Sequence, residues 1–492
     1  MTRPQASGLV VAGARTGPLS SAQERLWFID AAAPGSAAYN VPLLLRWRQR
    51  IDPEALAAAL TALAVRHEVL RTVYRVLDGR PVQSVLDPER VGVEVLDCAE
   101  GPAPDAVALR ARQPFDLAAR PPLRCTVWRG APDGDLMLLT IHHIAVDGWS
   151  LRPLFEDLAD AYAQAVAGSS PVLRALPVQY LDYSLWEKAG SDAPALLRKL
   201  EERAEQLRSV PGDLVLGGGR PRRSLPEGAR RGEQYGFLLD PSCWDAVGSL
   251  AARLRATPYT VLLAAFQVVV QRWSGREDFL LGTVAADRPL PVLEDLVGFF
   301  VNTVPLRCGP EPLQSFEELC LQVRAEAFRA LTLSRLPYDR LSAVAGAERL
   351  RAGRGSLVDI GFGLQNMPVP EESDRVPWRA PELLPTGSAK FSLLLLIEER
   401  SDGVHGTVEY DRDLYGPEVA ESLAEQFREL LGAALRDPGQ QVCRLPLTRR
   451  GPGAAHPGVV PGEIRDLLAE RLAVLSTGRG GGHRDRHRTP DH

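Results

Sequence analysis

The chain has no apolar run long enough to cross a membrane and no apolar leader at its N-terminus. Its longest charge-free apolar stretch, Thr257 to Gln271, is shorter than the about 20 residues that a membrane-spanning helix needs. Met1 to Leu19 contains Arg3 and Arg15, but it lacks the apolar core of a signal peptide. These absences argue against a membrane protein, and we expect a cytoplasmic one.

Closely spaced cysteines and an excess of one charge are also missing. None of the six cysteines belongs to a C-x-x-C pair, which argues against a disulfide framework and a zinc knuckle, so no metal site is predicted. Basic residues number 57 and acidic residues 62, for a net charge of -5, and no basic stripe is interleaved with aromatic residues. Nucleic acid is therefore not expected as a partner.

The sequence does contain two blocks in which helical and extended patterns alternate. In the first block, Asp52-Pro53 marks a helix start and Asp78-Gly79 marks a hairpin turn. Asp135 to Ile141 then predicts a buried strand, and Ser150 to Ala167 predicts an amphipathic helix with Ser150 as its cap. A strand followed by a helix is typical of an α/β fold.

The second block repeats this alternation of helical and extended patterns. Thr257 to Trp273 predicts an apolar helix, and Asp278 to Ala286 predicts a strand. Between the blocks, Arg208 to Gly232 is rich in Gly, Pro and Arg, and it predicts a linker. We expect two α/β halves of similar size between disordered ends. The predicted segments are a disordered 1–18, a first half 19–185, a second half with the linker 186–448, and a largely disordered tail 449–492.

A dense polar cluster lies between the strand and the helix of the first block. It places His142, His143, Asp147 and Gly148 within seven positions. Neighbouring side chains on a strand point to opposite faces, so one histidine should face a crevice and the other should pack inward. A single histidine at a strand end would favour a core residue, whereas this cluster favours a catalytic site.

This segment resembles the HHxxxDG motif of condensation domains from nonribosomal peptide synthetases, which are relatives of chloramphenicol acetyltransferase. Other family motifs follow in the expected order over about Leu19 to Leu447. The matching segments are Leu19 to Trp27, Arg66 to Thr72, Tyr180 to Trp186, and Val297 to Thr303 with Arg307. Ser334 to Asp339 and Gly353 to Leu357 depart from the family pattern.

The resemblance implies two chloramphenicol acetyltransferase-like subdomains that form a V-shaped pseudo-dimer, with the active site in the tunnel between them. It implies that His143 faces this tunnel and that His142 fixes the loop from inside. An α-amino group titrates near ~8, so a neutral His143 could accept or orient its proton, either as a general base or as a positioning group. The N–H of Gly148, near a helix start, is a candidate donor to the oxyanion.

The resemblance also implies supporting residues around these groups. Asp147 is expected to form a salt bridge with Arg288 from the other half. Asn302 is expected either to contact the pantetheine arm of a substrate or to cap a turn. The residues expected along the substrate tunnel are Trp149, Ser150, Gly298 and Asn302.

The implied activity is that of an acyltransferase. It would form an amide bond between a donor acyl thioester on one carrier protein and the amine of an aminoacyl thioester on another. The alternatives within the same fold are ester formation, epimerisation and non-catalytic recruitment. The identity of the donor and of the acceptor is not encoded in these motifs.

No bound cofactor is implied, because the substrates arrive on the phosphopantetheine of partner carrier domains. The chain itself has no carrier signature. Leu216 to Arg220 resembles one, but it lacks the serine that accepts phosphopantetheine. The chain also has no adenylation motif. We therefore expect a monomer that works with donor and acceptor carrier domains and with an adenylation domain or other synthetase modules.

Overall fold

The computed structural model describes residues 15–131, 134–210, 214–219, 228–346, 357–365, 376–400 and 402–446. The predicted tail 449–492 and most of the motif-like segment Gly353 to Leu357 lie outside the described residues. No helix in the described ranges is long and apolar enough to cross a membrane.

The first half of the chain contributes four strands to a five-stranded sheet, and it forms a smaller three-stranded sheet and the helices packed on both. Its strands are β1 (Thr16–Pro18), β2 (Asn40–Arg46), β3 (Thr72–Leu77), β4 (Arg80–Val85), β5 (Val93–Asp97), β6 (Leu123–Arg129) and β7 (Leu136–His142). Its helices are α1 (Ser21–Ala32), α2 (Pro53–Arg66), α3 (Pro104–Ala111), α4 (Leu151–Val166) and α5 (Tyr180–Gly190).

The second half is built on a six-stranded sheet. Its strands are β8 (Gly232–Leu239), β9 (Phe279–Ala286), β10 (Val301–Cys308), β11 (Ile360–Gln365), β12 (Glu382–Leu383), β13 (Leu393–Arg400) and β14 (Gly403–Asp411). Its helices are α6 (Pro194–Arg208), α7 (Pro241–Arg253), α8 (Pro258–Ser274), α9 (Phe316–Thr332), α10 (Tyr338–Ala345) and α11 (Pro417–Arg436). The order in the sheet is β10-β9-β11-β13-β14-β8, and β12 is not part of it.

Local sequence signals for a helix start and a hairpin turn correspond to elements of the structure. The side chain of Asp52 accepts hydrogen bonds from the N–H groups of Glu54 and Ala55, so α2 begins where the Asp-Pro signal indicates. Asp78 and Gly79 have φ angles of 51° and 76°, and they join β3 to β4 in a two-residue hairpin. These two predictions are confirmed.

The second half also completes the sheet and the core of the first. The strand β12 pairs antiparallel with β2, and the five-stranded sheet has the order β12-β2-β7-β6-β5. Just before β12, Trp378 packs on Trp47 with ring centroids 5.0 Å apart. Five apolar residues of the segment before β10 belong to the same core, and they are Leu293, Leu296, Val297, Phe299 and Phe300. The division into 19–185 and 186–448 stays a prediction, and the structure shows exchanges across it.

Only the end of the segment predicted as disordered, 1–18, lies within the described residues, and this end is ordered. Thr16–Pro18 forms β1, which pairs antiparallel with β4. The N–H of Val85 also donates to the carbonyl of Arg15 at 2.9 Å. A three-residue strand carries too little pattern to be recognised locally, and the edge of the hairpin supplies its hydrogen bonds.

Candidate active site

The strand β7 ends at His142, and a 3-10 turn over His143–Ala145 follows at once. The His142 residue is only 2% exposed, and its Nδ1 accepts a hydrogen bond from the N–H of Ile144 at 3.1 Å. The ring of Phe115 packs edge-on against it, with centroids 5.9 Å apart. In this position His142 fixes the turn from inside.

The ring of His143 leaves the strand in another direction and is half-buried. Its Nδ1 lies 2.6 Å from the carbonyl oxygen of Val146. A carbonyl can only accept, so Nδ1 carries the proton of the neutral ring and Nε2 keeps its lone pair. Within the described residues, no hydrogen bond occupies Nε2. Phe299, from the second half, faces the ring at a centroid distance of 5.0 Å, so the imidazole lies where the halves meet.

Both histidines are held in the neutral form. Burial lowers the pKa of His142 to about 3, and the positive charge of Arg124 acts in the same direction. Burial also lowers the pKa of His143, and the second cause is the positive charge of Lys390. A neutral imidazole can accept a proton from an attacking group, which an imidazolium cannot do.

Asp147 lies at the centre of a buried network that joins the two halves. Its Oδ1 accepts hydrogen bonds from Arg288 Nη2 and from the N–H of Ser150, both at 2.9 Å, and its Oδ2 accepts from the N–H of Phe300 at 3.1 Å. The side chains of Asp147 and Arg288 are 0% and 8% exposed. Only Nη2 of the guanidinium contacts the carboxylate, because Nη1 donates to the carbonyl of Leu296 at 2.6 Å.

Ser150 belongs to the same network. Its Oγ lies 2.7 Å from Asp147 Oδ1, and it accepts hydrogen bonds from Arg288 Nη2 at 3.0 Å and from the N–H of Gly298 at 3.1 Å. The hydroxyl makes no capping hydrogen bond at α4, which begins at Leu151. Ser150 is the N-cap residue of this helix, as predicted, but Asp147 and the second half engage its hydroxyl in place of the helix backbone.

Three more of the sequence-predicted site residues lie around this network in different settings. Gly298 is buried, and a Cβ on it would lie 2.1 Å from the ring of Tyr180, so it provides a close contact between segments. Trp149 is 44% exposed. Gly148 is half-buried, and no acceptor within the described chain takes its N–H. The role of this N–H as a donor to an oxyanion stays a prediction.

The side chain of Asn302 is used entirely within the protein. Its Nδ2 donates to the carbonyls of Ser334 and Leu336, both at 2.7 Å. Its Oδ1 accepts from the N–H of Tyr338, the first residue of α10, at 3.2 Å. These hydrogen bonds fit the turn-capping role considered for Asn302, and contact with a pantetheine arm stays a prediction.

Sequence reasoning missed two residues that support or face the site. Gln23 on α1 is fully buried, and its Nε2 donates to Tyr74 Oη at 3.1 Å and to the carbonyl of Ile144 at 3.3 Å. A buried polar residue in α1 was a signal for such a role. Lys390 lies with its Nζ 5.8 Å from the centroid of the Tyr39 ring, and no local pattern marked it.

No group of three or more His, Cys, Asp or Glu side chains in the described ranges is arranged to hold a metal ion. The six cysteines form no disulfide and are free thiols. The described site combines the neutral imidazole of His143, the backbone N–H of Gly148 and the Asp147–Arg288 pair.

The sequence matches a family model described as "Condensation domain" over residues 14–451, and the chain belongs to the condensation-domain family. It is 37% identical over 472 residues to the probable non-canonical nonribosomal peptide synthetase CymA of Salinispora arenicola, which covers 93% of this chain and 6% of that protein. It is 37% identical over 493 residues to the phosphinothricin tripeptide synthetase PhsC of Streptomyces viridochromogenes, with coverages of 96% and 44%. The chain thus spans less than half the length of these relatives.

Solved structures share the fold. The X-domain from teicoplanin biosynthesis matches with a TM-score of 0.78 and 25% identity, covering 91% of this chain and 98% of that one. The condensation domain of the Monacolin K polyketide synthase MokA matches with a TM-score of 0.73 and 20% identity, with coverages of 87% and 99%. The predicted α/β condensation-domain fold is confirmed, and the V-shaped pseudo-dimer stays a prediction.

Proposed function

We propose that this condensation domain joins a donor acyl thioester and an acceptor aminoacyl thioester, each on its own carrier domain, through an amide bond. The observation that carries the proposal is the state of His143. Its Nδ1 is engaged by the carbonyl of Val146, and its pKa is lowered, so an unprotonated Nε2 is available where the halves meet.

In the proposed reaction, the amine nitrogen attacks the thioester carbonyl and forms the C–N bond. The oxyanion accepts the N–H of Gly148, and a proton passes from the amine to His143 Nε2. Collapse of the tetrahedral intermediate breaks the C–S bond, and the imidazolium returns the proton to the leaving thiolate. His142 and the Asp147–Arg288 pair keep the loop rigid, which orients the reacting groups.

The proposed partners are a donor carrier, an acceptor carrier and the adenylation domain that loads a carrier. The support for them is that the related synthetases CymA and PhsC are much longer than this chain. We propose that the substrates arrive on phosphopantetheine, that the domain binds no cofactor of its own, and that it acts as a monomer in the cytoplasm.

The proposal is tested by mass spectrometry of condensation products from a panel of acyl-loaded and aminoacyl-loaded carriers. We expect an amide product with the wild type and a loss of about 10²–10⁴-fold in rate with His143→Ala, the range typical of a lost acid–base group. His405→Ala is the matched control, because His405 lies on β14 and pairs with Asp402 at 2.9 Å.

Each other outcome supports a different function. Ester products from hydroxyacyl acceptors alone would replace the amide by an ester bond. Deuterium wash-in at the α-carbon of a single loaded carrier, without condensation, would indicate epimerisation. A chain that binds partners and turns over no pair would support non-catalytic recruitment.

A further inference from the structure

Lys390 brings a positive charge to the place where the halves meet. It is one of only three lysines among 57 basic residues of the chain. Its Nζ lies 5.8 Å from the centroid of the Tyr39 ring, and that ring lies 6.5 Å from the imidazole of His143. Lys390 precedes β13 in the second half, whereas the two rings belong to the first, so its ammonium reaches across the boundary.

The Lys390 ammonium has no carboxylate partner within the described residues. Burial lowers the pKa of Lys390, and the negative charge of Glu409 opposes that shift, although Glu409 Oε1 accepts the backbone N–H of Lys390 at 3.1 Å and Oε2 accepts Gln234 Nε2 at 3.2 Å. By contrast, the buried Arg203 pairs with Glu326 at 2.7 Å. Glu409 thus offsets the positive charge of Lys390 only in part, without forming a salt bridge to its ammonium.

The backbone that carries Lys390 is fixed from several sides. Its carbonyl accepts a hydrogen bond from Arg230 Nη1 at 3.1 Å, and the carbonyl of Gly387 accepts from the N–H of Gly232 at 2.9 Å. Gly387 has a φ angle of 75°, and the guanidinium carbon of Arg112 lies 3.3 Å from where a Cβ on this glycine would be. A charge on such a rigid segment is preorganised.

Positive charge acts on this histidine pair from two sides. Lys390 lowers the pKa of His143, and Arg124 lowers the pKa of the neutral His142 beside it. The other groups facing the imidazole are the rings of Tyr39 and Phe299, which carry no charge. An acceptor amine in contact with His143 Nε2 would be exposed to the same positive field.

We propose that Lys390 holds the acceptor amine in its uncharged, nucleophilic form by electrostatic repulsion of the protonated amine. This inference rests on the proposed function. The acceptor releases one proton to water when it binds, and its nitrogen then has the lone pair that attacks the carbonyl. The remaining proton steps pass through His143. Lys390 is thus a positioning residue that acts through charge, and it forms no bond to the reacting atoms.

The test is the pH dependence of kcat/KM for condensation in the wild type and in Lys390→Met, Lys390→Arg and Lys199→Met. Two unit charges ~10 Å apart at an effective dielectric constant of ~20 shift a pKa by about one unit. We expect the acidic limb of the pH profile of Lys390→Met to lie about one pH unit above that of the wild type. At pH values below this limb, condensation by the variant should be about 10-fold slower than by the wild type. At higher pH, the two proteins should have the same kcat/KM.

Two matched variants separate charge from structure. Lys390→Arg restores the charge, and its limb should return close to that of the wild type. Lys199→Met removes a charge from the exposed surface of α6, and its limb should stay unchanged. A limb that is identical in wild type and Lys390→Met, or a loss that is equal at every pH, would overturn the inference.

A second measurement is independent of turnover. An acceptor mimic, a ¹⁵N-labelled aminoacyl group amide-linked to pantetheine, is titrated by NMR on the protein. We expect its bound amine to titrate about one pH unit lower in the wild type than in Lys390→Met. With ¹⁵N-lysine labelling, the three Nζ signals report whether Lys390 is protonated at the assay pH, and a neutral Lys390 would contradict the inference. If no carrier pair condenses while the bound amine still shifts, the proposed function fails and the charge effect stands.

Discussion

His142 couples folding to pH, because burial keeps it neutral in the folded state. Its pKa is about 3 when folded and about 6.5 when unfolded. As the pH falls below 6.5, only the unfolded chain takes up this proton, so the free energy of unfolding decreases by about 1.4 kcal/mol per pH unit until the folded pKa is reached. The stabilisation by His142 is therefore complete above pH 6.5 and lost on acidification.

We predict that His142→Asn reduces this slope between pH 6 and pH 5 by about 1 kcal/mol per pH unit. Asparagine does not titrate, and its carbonyl can still accept the N–H of Ile144. Urea unfolding at several pH values measures the effect. Parallel pH profiles for the two proteins would show that His142 is protonated in the folded state.

Asp147→Ala should destabilise the fold by about 3–5 kcal/mol, because it leaves the buried guanidinium of Arg288 without its carboxylate. The control is Arg152→Ala, since Arg152 joins α4 to Asp295 at 3.1 Å in an exposed pair that is worth below about 1 kcal/mol. Chemical denaturation compares the two variants. An Asp147→Ala variant with wild-type stability and no turnover would assign Asp147 to chemistry rather than to support.

At the residue scale, the sequence predicted the composition of the site better than the role of each residue. Asp147 and Arg288 are separated by 141 positions, and only the family resemblance linked them. Local pattern placed Ser150 correctly at the N-cap of α4, but it could not show that the hydroxyl bonds to Asp147 and to the second half. Lys390 lies in no recognised motif, because its importance depends on its distance in space from Tyr39 and His143.

At the scale of elements, the segment before β10 is tightly packed near the site, at Gly298. A Cβ on Gly298 would meet ring atoms of Tyr180 at 2.1 and 2.4 Å. Tyr180 itself is held by its hydrogen bonds to Ser20 Oγ at 2.9 Å and to the carbonyl of Phe299. The ring therefore cannot move away without breaking contacts to both halves.

We predict that Gly298→Ala lowers stability by about 1–3 kcal/mol, as overpacking of a buried contact does. Gly236→Ala on β8 is the matched control, because nothing lies within 4 Å of its added Cβ. Thermal unfolding measures both variants. Equal melting temperatures would mean that Tyr180 gives way more easily than its hydrogen bonds indicate.

Elements with strong local signals were predictable, and those defined by pairing were not. The helix over Thr257 to Trp273 corresponds to α8, and the strand over Asp278 to Ala286 corresponds to β9, each within one residue at the ends. The strand β12 is two residues long, and it exists because its backbone meets β2. Local periodicity carries no information on such a partner.

For the whole molecule, the shared core predicts that the two halves unfold together. Trp378 is 1% exposed and packs in the core of the first half, although it belongs to the second half of the chain. Trp378→Ala should destabilise the protein by about 3–5 kcal/mol. Trp186→Ala, at a residue that is 48% exposed, should cost below about 1 kcal/mol.

The measurement is urea unfolding followed by hydrogen exchange at β7 and at β13. Both sheets should lose protection in one transition in the wild type, and the midpoint of both should fall in Trp378→Ala. Separate midpoints for β7 and β13 in the wild type would show that the halves are independent units.

The strand exchange at β12 bears on how such domains can be recombined. A hybrid could join the first half of this chain to the second half of a relative. In that hybrid, the β12 of the relative would pair with β2, and the relative's counterpart of Trp378 would pack on Trp47. A boundary drawn at a single point in the linker therefore divides one folded core between two parents. A graft that keeps Leu293 to Phe300 and Trp378 to Leu383 with the first half would transfer the core of that half together with the segments that complete it.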